Sequence, residues 1–332
     1  MIQYKLPDSS IDLSIVAPMY NEESNVHYFF SKLLPVLDRL QREYEIICIN
    51  DGSTDKTLEI LLEYHKFNPR IKIINLSRNF GKETALTAGL HYSKGNGVIP
   101  IDTDLQDPPE LIENFIEQWQ KGYNVVYAIR KKRHGETLIK KFTAGLFYRF
   151  INFFSEIPIP KNTGDFRLMD RQVVDVINRL PERTRFMKGL FAWVGFKQIG
   201  VHYERKPRYA GITKWNYWKL WNYALDGVTL FSTSALKFWS YLGIFISFLA
   251  FLYGMFLVVR TLIFGKDVPG YASIMVSILF LGGLQLISLG IIGEYLGRVY
   301  SEVKNRPLYV VSETFGLKEP SSDGVQEKEV LS

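Results

Sequence analysis

Tyr44-Glu-Ile-Ile-Cys-Ile-Asn-Asp-Gly-Ser-Thr-Asp55 passes from an apolar run into a polar turn within a residue or two. Tyr44 to Asn50 has the length and composition of a buried strand, and Thr54 to Phe67 continues with the spacing of a helix. The unit recurs along the chain. Leu13 to Ala17, Ile71 to Leu76, Val98 to Ile101 and Tyr123 to Ile129 read as further strands, and Glu22 to Leu40, Lys82 to Ser93 and Pro109 to Lys121 as the helices between them. Alternation of this kind predicts an α/β fold, a mainly parallel sheet with helices on both faces, whose ligands lie beyond the carboxyl ends of its strands. The polar residues at those ends are the first candidates for function.

Three of the strand ends carry more polarity than a turn needs. In Ala17-Pro-Met-Tyr-Asn-Glu-Glu23, Asn21 can cap the helix and the glutamates suit the positive end of its dipole; Ser53 or Thr54, with Asp55, can do the same one strand later. Capping leaves Tyr20 and Asp51 over. A ring and a carboxylate at adjacent strand ends can stack on and hydrogen-bond a nucleobase; plain turn chemistry is the alternative. In Ile101-Asp-Thr-Asp-Leu-Gln-Asp-Pro-Pro-Glu110, Asp107 followed by proline and Glu110 reads as a helix start. Asp102 and Asp104 then remain. On an extended chain they share a face and, with Gln106, would present oxygens to one hard cation, a solvated turn being the alternative.

Taken in order, Pro18-Met-Tyr-Asn-Glu-Glu23, Asn50-Asp-Gly-Ser-Thr-Asp55, Leu76-Ser-Arg-Asn-Phe-Gly-Lys-Glu-Thr-Ala-Leu-Thr-Ala-Gly89, Asp102-Thr-Asp-Leu-Gln-Asp-Pro-Pro-Glu110 and Gly164-Asp-Phe-Arg-Leu-Met-Asp170 resemble the polyisoprenyl-phosphate glycosyltransferases of glycosyltransferase family 2. The resemblance covers about Ile11 to Lys214 and is to the dolichyl-phosphate mannose synthase-like enzymes, in particular their bacterial undecaprenyl-phosphate glucosyltransferase branch. It implies a GT-A fold in which Pro18, Tyr20, Glu22 and Asp51 contact the nucleoside of a nucleotide-sugar donor. It further implies that Asp102, Asp104 and Gln106 hold Mg2+ or Mn2+ against the donor diphosphate, and that transfer proceeds with inversion. The acidic residue implied near the sugar is Asp165, with general base, sugar orienter and structural turn as its open roles. Arg130 and a basic residue near Lys140 are implied at the phosphate of a lipid acceptor. The Gln-x-x-Arg-Trp motif of branches that extend long polysaccharides is absent, so transfer of one sugar is expected. Glucose from UDP-glucose is the first expectation and mannose from GDP-mannose the second.

The 332 residues carry a net charge of +6, with 47% hydrophobic and 22% charged side chains, which suits a packed core rather than disorder. The positive excess is local: seven Lys or Arg against one Glu from Arg130 to Arg149, and nine against one from Arg183 to Lys219. Such clusters imply an anionic partner. Arg130, Lys140, Lys141, Arg205, Arg208 and Lys214 are the candidates for an acceptor phosphate, with ordinary solvated or lipid-facing charge as the alternative. No nucleic acid partner is expected. The lone cysteine, Cys48, lies inside a predicted strand, so disulfide frameworks and cysteine zinc sites are excluded.

Phe238 to Val259 and Tyr271 to Gly293 are runs of 22 and 23 residues without a charge. Each is long enough as a helix to cross a hydrocarbon core of about 30 Å. Joined by a short turn around Lys266 to Gly270, they predict a transmembrane hairpin. Lys219, Lys237, Arg298, Lys304 and Arg306 flank its outer ends against Arg260 and Lys266 near the turn, which places both termini in the cytosol. Leu13 to Ala17 is too short to be the core of a signal peptide. Trp215, Trp218 and Trp221 suit a helix lying in the membrane interface, a core helix being the alternative. The expected organisation is a cytosolic catalytic domain over 1–210, interfacial helices over 211–236, two transmembrane helices over 237–299 and a cytosolic tail over 300–332, unstructured from Ser312 onward. Such a protein would be integral to a bacterial inner membrane, with homo-oligomers allowed. Two rival readings are a membrane-anchored transferase for a non-lipid acceptor and a membrane scaffold on a decayed nucleotide fold. Intact Asp51, Asp102, Asp104 and Gln106 weigh against the scaffold.

Overall fold

The computed structural model describes residues 10–131, 163–183, 185, 187–204, 234–265 and 270–317. β1 (Leu13–Met19), β2 (Tyr44–Asn50), β3 (Ile71–Leu76) and β4 (Gly97–Pro100) alternate with α1 (Glu23–Arg39), α2 (Thr57–Phe67) and α3 (Lys82–Tyr92). α4 (Leu111–Gln120) leads into β5 (Val125–Arg130). Beyond it come β6 (Thr163–Asp170), α5 (Arg171–Arg179), α6 (Met187–Trp193), β7 (Gln198–Tyr203), α7 (Ser234–Phe264), α8 (Tyr271–Val303) and β8 (Val311–Phe315).

The strands form one sheet in the order β7-β5-β6-β4-β1-β2-β3-β8. β1 is parallel to β2 and β4, and β2 to β3, as the alternation predicts, and β5 is parallel to β7, a strand the sequence did not reveal. β6 runs antiparallel to both β4 and β5. Both faces are covered, which is why the central parallel strands are mainly apolar: β2 is buried at every residue, its Glu45 paired with Ser14 and Lys72. On one face Leu13, Ile15 and Ala17 join Phe29, Phe30 and Phe115 in the core. On the other α3 lies so close that a Cβ at Gly89 would stand 2.3 Å from Val16 Cγ1.

The expectation of an unstructured tail from Ser312 fails over its first residues. β8 pairs antiparallel with β3, Ile74 opposite Thr314 and Asn75 opposite Glu313. The polar composition that reads as disorder is tolerated because an edge strand buries only part of one face, and the half-buried Phe315 packs against the core. Covering β3 also removes an open sheet edge.

The chain divides into two compact units, one holding the sheet and the other holding α7 and α8. In the second unit, an 18-residue stretch within Ser273–Val303 has a mean hydropathy of 2.2, and this helix is long and apolar enough to cross a membrane. Trp215, Trp218 and Trp221 of the expected interfacial segment, and residues 266–269 of the expected turn, lie outside the described residues.

Candidate active site

β1 and β2 end side by side, and the helices that follow them cap each other. Asn21 N–H donates to Ser53 Oγ at 3.0 Å while Asn21 Oδ1 accepts from Thr54 N–H at 2.8 Å. Glu22 N–H donates to Thr57 Oγ1 at 2.9 Å and Glu23 N–H to Asp55 Oδ2 at 3.2 Å, and the Glu23 carboxylate accepts in return from Lys56 N–H at 3.0 Å. Asn21 and Ser53 thus reach across to the neighbouring helix start, while Asp55 both reaches across and accepts from Thr57 N–H of its own helix at 3.0 Å. Adjacent parallel strands make this possible because both helix starts leave unpaired N–H groups at the same edge. Pro18 sits past the last β4 partner of β1, where no N–H is needed, and its carbonyl accepts from Thr103 Oγ1 at 3.3 Å. The Glu22 carboxylate accepts from Asn25 Nδ2. Tyr20 is 38% exposed, a ring left at the rim.

Asp51 lies deeper, at 2% exposure. Its Oδ1 accepts from Phe80 N–H at 2.7 Å and its Oδ2 from Gly81 N–H at 2.9 Å. Burial pushes its carboxyl up, against the lowering effect of those two N–H groups and of Arg78. The loop it holds lies directly on Gly52, whose φ is +65° and whose added Cβ would meet the Arg78 carbonyl carbon at 2.4 Å. Asp51 therefore fastens the loop after β3 over the end of β2.

At the end of β4 the chain does not stay extended. Asp102 to Leu105 form a turn closed by Leu105 N–H on the Asp102 carbonyl at 3.2 Å, and Leu105 has a φ of +44°. Asp102 and Asp104 therefore share a turn rather than a strand face, and the Leu105 side chain is buried. Gln106 is 8% exposed and its N–H reaches Asp104 Oδ1 at 3.4 Å.

Because β6 is antiparallel, its first residues, not its last, stand at this edge, and Asp165 comes beside Asp102. One ammonium joins them: Lys82 Nζ lies 2.6 Å from Asp102 Oδ1 and 2.8 Å from Asp165 Oδ2. Burial alone would raise the Asp165 carboxyl, but Lys82, Lys188 and Arg167 hold it well below the usual carboxylate range. Burial alone would lower the Lys82 amine, and its two carboxylate partners carry it well above its ordinary value. Asp165 Oδ1 is buried with no hydrogen-bond partner among the described residues. Among the described residues no group of three or more His, Cys, Asp or Glu is placed to hold a metal ion. Asp102 and Asp104 nonetheless offer hard oxygens of the kind a divalent cation takes, and Asp102 already holds a cationic group.

Arg130 ends β5 at the same edge. Its Nε donates to Tyr203 Oη at 3.1 Å, and its Nη2 stands 3.8 Å from Asp107 Oδ2. The Tyr203 hydroxyl donates in turn to Asp107 Oδ1. Asp107 is therefore not the helix cap that its Pro-Pro-Glu context suggests; α4 begins at Leu111 through backbone bonds to the carbonyls of Pro108 and Pro109. A buried carboxylate needs charged or hydroxyl partners, and β5 and β7 supply them. The Arg130 guanidinium lies over Gly164, where a Cβ would meet Nη2 at 2.8 Å, one residue from Asp165. Lys140, Lys141, Arg205, Arg208 and Lys214 lie outside the described residues.

The Glycosyl transferase family 2 model matches residues 14–177. An uncharacterized glycosyltransferase of Synechocystis is 63% identical over 309 residues, covering 93% of this chain and 97% of that protein. The chain belongs to glycosyltransferase family 2. The prophage-derived bactoprenol glucosyl transferase of Shigella flexneri is 48% identical over 91% of this chain and 98% of its own length, and a homolog in Escherichia coli K12 is 47% identical over 90% and 98%. The family 2 span runs from β1 into α5 and holds Asp51, Asp102, Asp104, Arg130 and Asp165, while Tyr203 and β8 lie beyond it.

Sequence reasoning missed Lys82, although it stands inside one of the quoted motifs. A signal was available: Lys82 is the first residue of α3, where the helix dipole disfavours a cation, so local helix energetics do not explain it.

Proposed function

We propose that the protein transfers one glucose from UDP-glucose to the phosphate of a polyprenyl phosphate, undecaprenyl phosphate in a bacterium, giving a β-linked lipid-phosphate sugar. The observation that carries this reading is the charged cluster in which Asp102, Lys82, Asp165 and Arg130 meet at one sheet edge. The relatives named as bactoprenol glucosyl transferases supply the sugar and the lipid.

Tyr20, with Pro18, Glu22 and Asp51, would hold the nucleoside. Asp102, Asp104 and Gln106 would hold Mg2+ or Mn2+, which when bound offsets charge on the departing diphosphate. Arg130, steadied by Tyr203 and Asp107, would grip the acceptor phosphate bidentately, and Lys140, Lys141, Arg205, Arg208 and Lys214 would supply further positive charge. An acceptor phosphate oxygen forms the new bond to the anomeric carbon while the bond to the nucleoside diphosphate breaks from the opposite face. A phosphate monoester has a second pKa near about 6, so at neutral pH the nucleophile is largely dianionic and needs little help from a base. Asp165, held well below the carboxylate range, is a poor proton acceptor. Its Oδ1, without a hydrogen-bond partner among the described residues, instead suits a sugar hydroxyl, which it would orient while stabilising positive charge at the ring. The apolar helices α7 and α8 would anchor the enzyme in the inner membrane, with the sheet unit on the cytosolic side.

The test uses full-length protein in detergent with undecaprenyl phosphate and labelled donors. Label from UDP-glucose should enter the organic phase. Label confined to the aqueous phase would overturn the lipid acceptor, and preference for GDP-mannose would overturn the sugar.

A further inference from the structure

We infer that Lys82 is a built-in counter-cation that holds Asp102 and Asp165 together in the donor-free enzyme and yields Asp102 when a divalent cation enters. Loading the donor site thereby releases the residue that faces the sugar from its tie to the cation site. This rests on the reading that Asp102 and Asp104 receive the cation.

Asp102 lies in the turn after β4 and Asp165 in β6, far apart in sequence, and the Lys82 ammonium bridges them at 2.6 and 2.8 Å. Two carboxylates drawn to one cleft repel unless a cation lies between them, and each would otherwise be driven toward its neutral form. Lys82 removes that penalty without any bound ion. The backbone is arranged to permit it: Gly81, with φ +98° and open space around its Cβ position, lets the chain enter α3 so that Lys82 is its first residue. The placement runs against the helix dipole, and the two ion pairs account for it. Asp165 spends only Oδ2 on Lys82, leaving Oδ1 unpartnered among the described residues.

A divalent cation at Asp102 would repel an ammonium at the same oxygen, so the two compete. Once displaced from Asp102, the Lys82 ammonium can stay on Asp165 Oδ2 and hold that carboxylate in place. Lys82 is in this sense a positioning residue, and its influence on metal binding is readable without any turnover.

The experiment measures Mn2+ binding to the full-length protein in detergent by calorimetry, without nucleotide, together with thermal melting in EDTA and in excess Mn2+. Lys82→Met should bind Mn2+ more tightly by on the order of tenfold, since its competitor is gone. It should also melt below wild type in EDTA and recover with Mn2+, while wild type responds weakly to the metal. Lys82→Arg, which keeps the charge, should restore weaker Mn2+ binding and metal-independent melting, a rescue that a merely structural role would not predict. If Lys82→Met does not fold, Lys82→Gln serves with the same expectation. Mn2+ affinity and melting that do not change in the neutral variants would overturn the role of Lys82 alone. Absence of Mn2+ binding in wild type and variants, even with UDP present, would overturn the cation reading and this inference with it.

Discussion

The half of the sheet built from β1 to β4 and the half built from β5 to β7 meet at one cleft, but they place their polar groups differently. In the first, side chains at the strand ends are fixed by backbone: Asp51 by two N–H groups, Asn21 and Asp55 by helix starts. In the second, side chains hold side chains: Arg130 leans on Tyr203 and Asp107. Lys82 and Asp165 join the halves. In the first half the helix-start N–H groups are taken up by side chains, so the groups it offers a donor are the carboxylates of Asp102 and Asp104, suited to a shared cation. The mixed half brings positive charge on the Arg130 side chain, which suits an acceptor phosphate. Damage to the first half should therefore remove donor binding, and damage to the second should spare it.

The largest effect is expected from Asp104→Ala. Losing one carboxylate of a two-carboxylate cation site should abolish detectable transfer and remove the metal-dependent part of UDP binding. Label transfer into organic-extractable lipid and calorimetry with UDP and Mn2+ check the two effects. Near-normal transfer would remove Asp104 from the site and dissolve the assignment of the donor to this half.

Asp165→Asn should lower kcat by about 10- to 100-fold, the worth of a hydrogen bond to a charged group, with UDP binding kept. Its pH behaviour separates orienter from base. Asp165 is depressed in the fold, so its pairing with Lys82 is fully present above the ordinary carboxylate value and is lost only as pH falls through the lower folded one. It therefore does not titrate near neutrality. Wild type should lose activity below about pH 6 as the acceptor phosphate gains a proton, and Asp165→Asn should keep the same acidic limb. A limb that vanishes in the variant would restore the general base.

The two halves also differed in how far the sequence revealed them. β1 to β5 were legible because strands covered on both faces are apolar runs between turn residues. β6 was not, since Thr163-Gly-Asp-Phe-Arg-Leu-Met-Asp170 carries the charges that the site uses: Arg167 is buried against the Phe191 ring at 3.9 Å and donates to the Gly164 carbonyl. Function overrode the hydrophobic pattern there. β7 and β8 are edge strands, half exposed, and edge strands need little periodicity. In the site, Tyr20, Asp51 and Asp102 stood out once capping was accounted for. Lys82 did not, because its partners are supplied only by the antiparallel placement of β6 beside β4. Asp107 misled because a helix-start pattern says nothing of a tyrosine arriving from β7.

Arg130→Ala should weaken acceptor dependence by about 30-fold, on the order of 2 kcal/mol for a charge-assisted contact, with donor binding unchanged. Tyr203→Phe removes the hydroxyl that Arg130 and Asp107 share, and should cost only about 3- to 10-fold in the same measurement, because Arg130 keeps its charge and its Asp107 partner. Neutral detergent is the right medium, since a charged surface would add a general attraction for any basic residue. Equal losses for Arg130→Ala and a surface change such as Lys121→Ala would show that the halves do not divide the two substrates.

The smallest expected effect concerns the outer edge of the first half. Phe315 ends β8, opposite Ile73, and its ring centroid lies 6.4 Å from that of His65. If β8 is part of the fold, Phe315→Ala removes a half-buried ring from the core margin and should cost about 1 kcal/mol, a fall in melting temperature of roughly 2–4 °C for a domain of this size. Activity per folded enzyme should not change, because β8 touches none of the cleft residues named above. If residues from Ser312 onward were an unstructured tail, as their composition suggests, the change would fall within about 0.5 kcal/mol and be lost in the melt. Hydrogen exchange gives a second reading on the wild-type chain. The amides of Val311 to Phe315 that face β3 should exchange far more slowly than those of any tail that lacks a partner strand. Fast exchange there, with an unaltered melt in Phe315→Ala, would return β8 to the tail and leave β3 as an open edge.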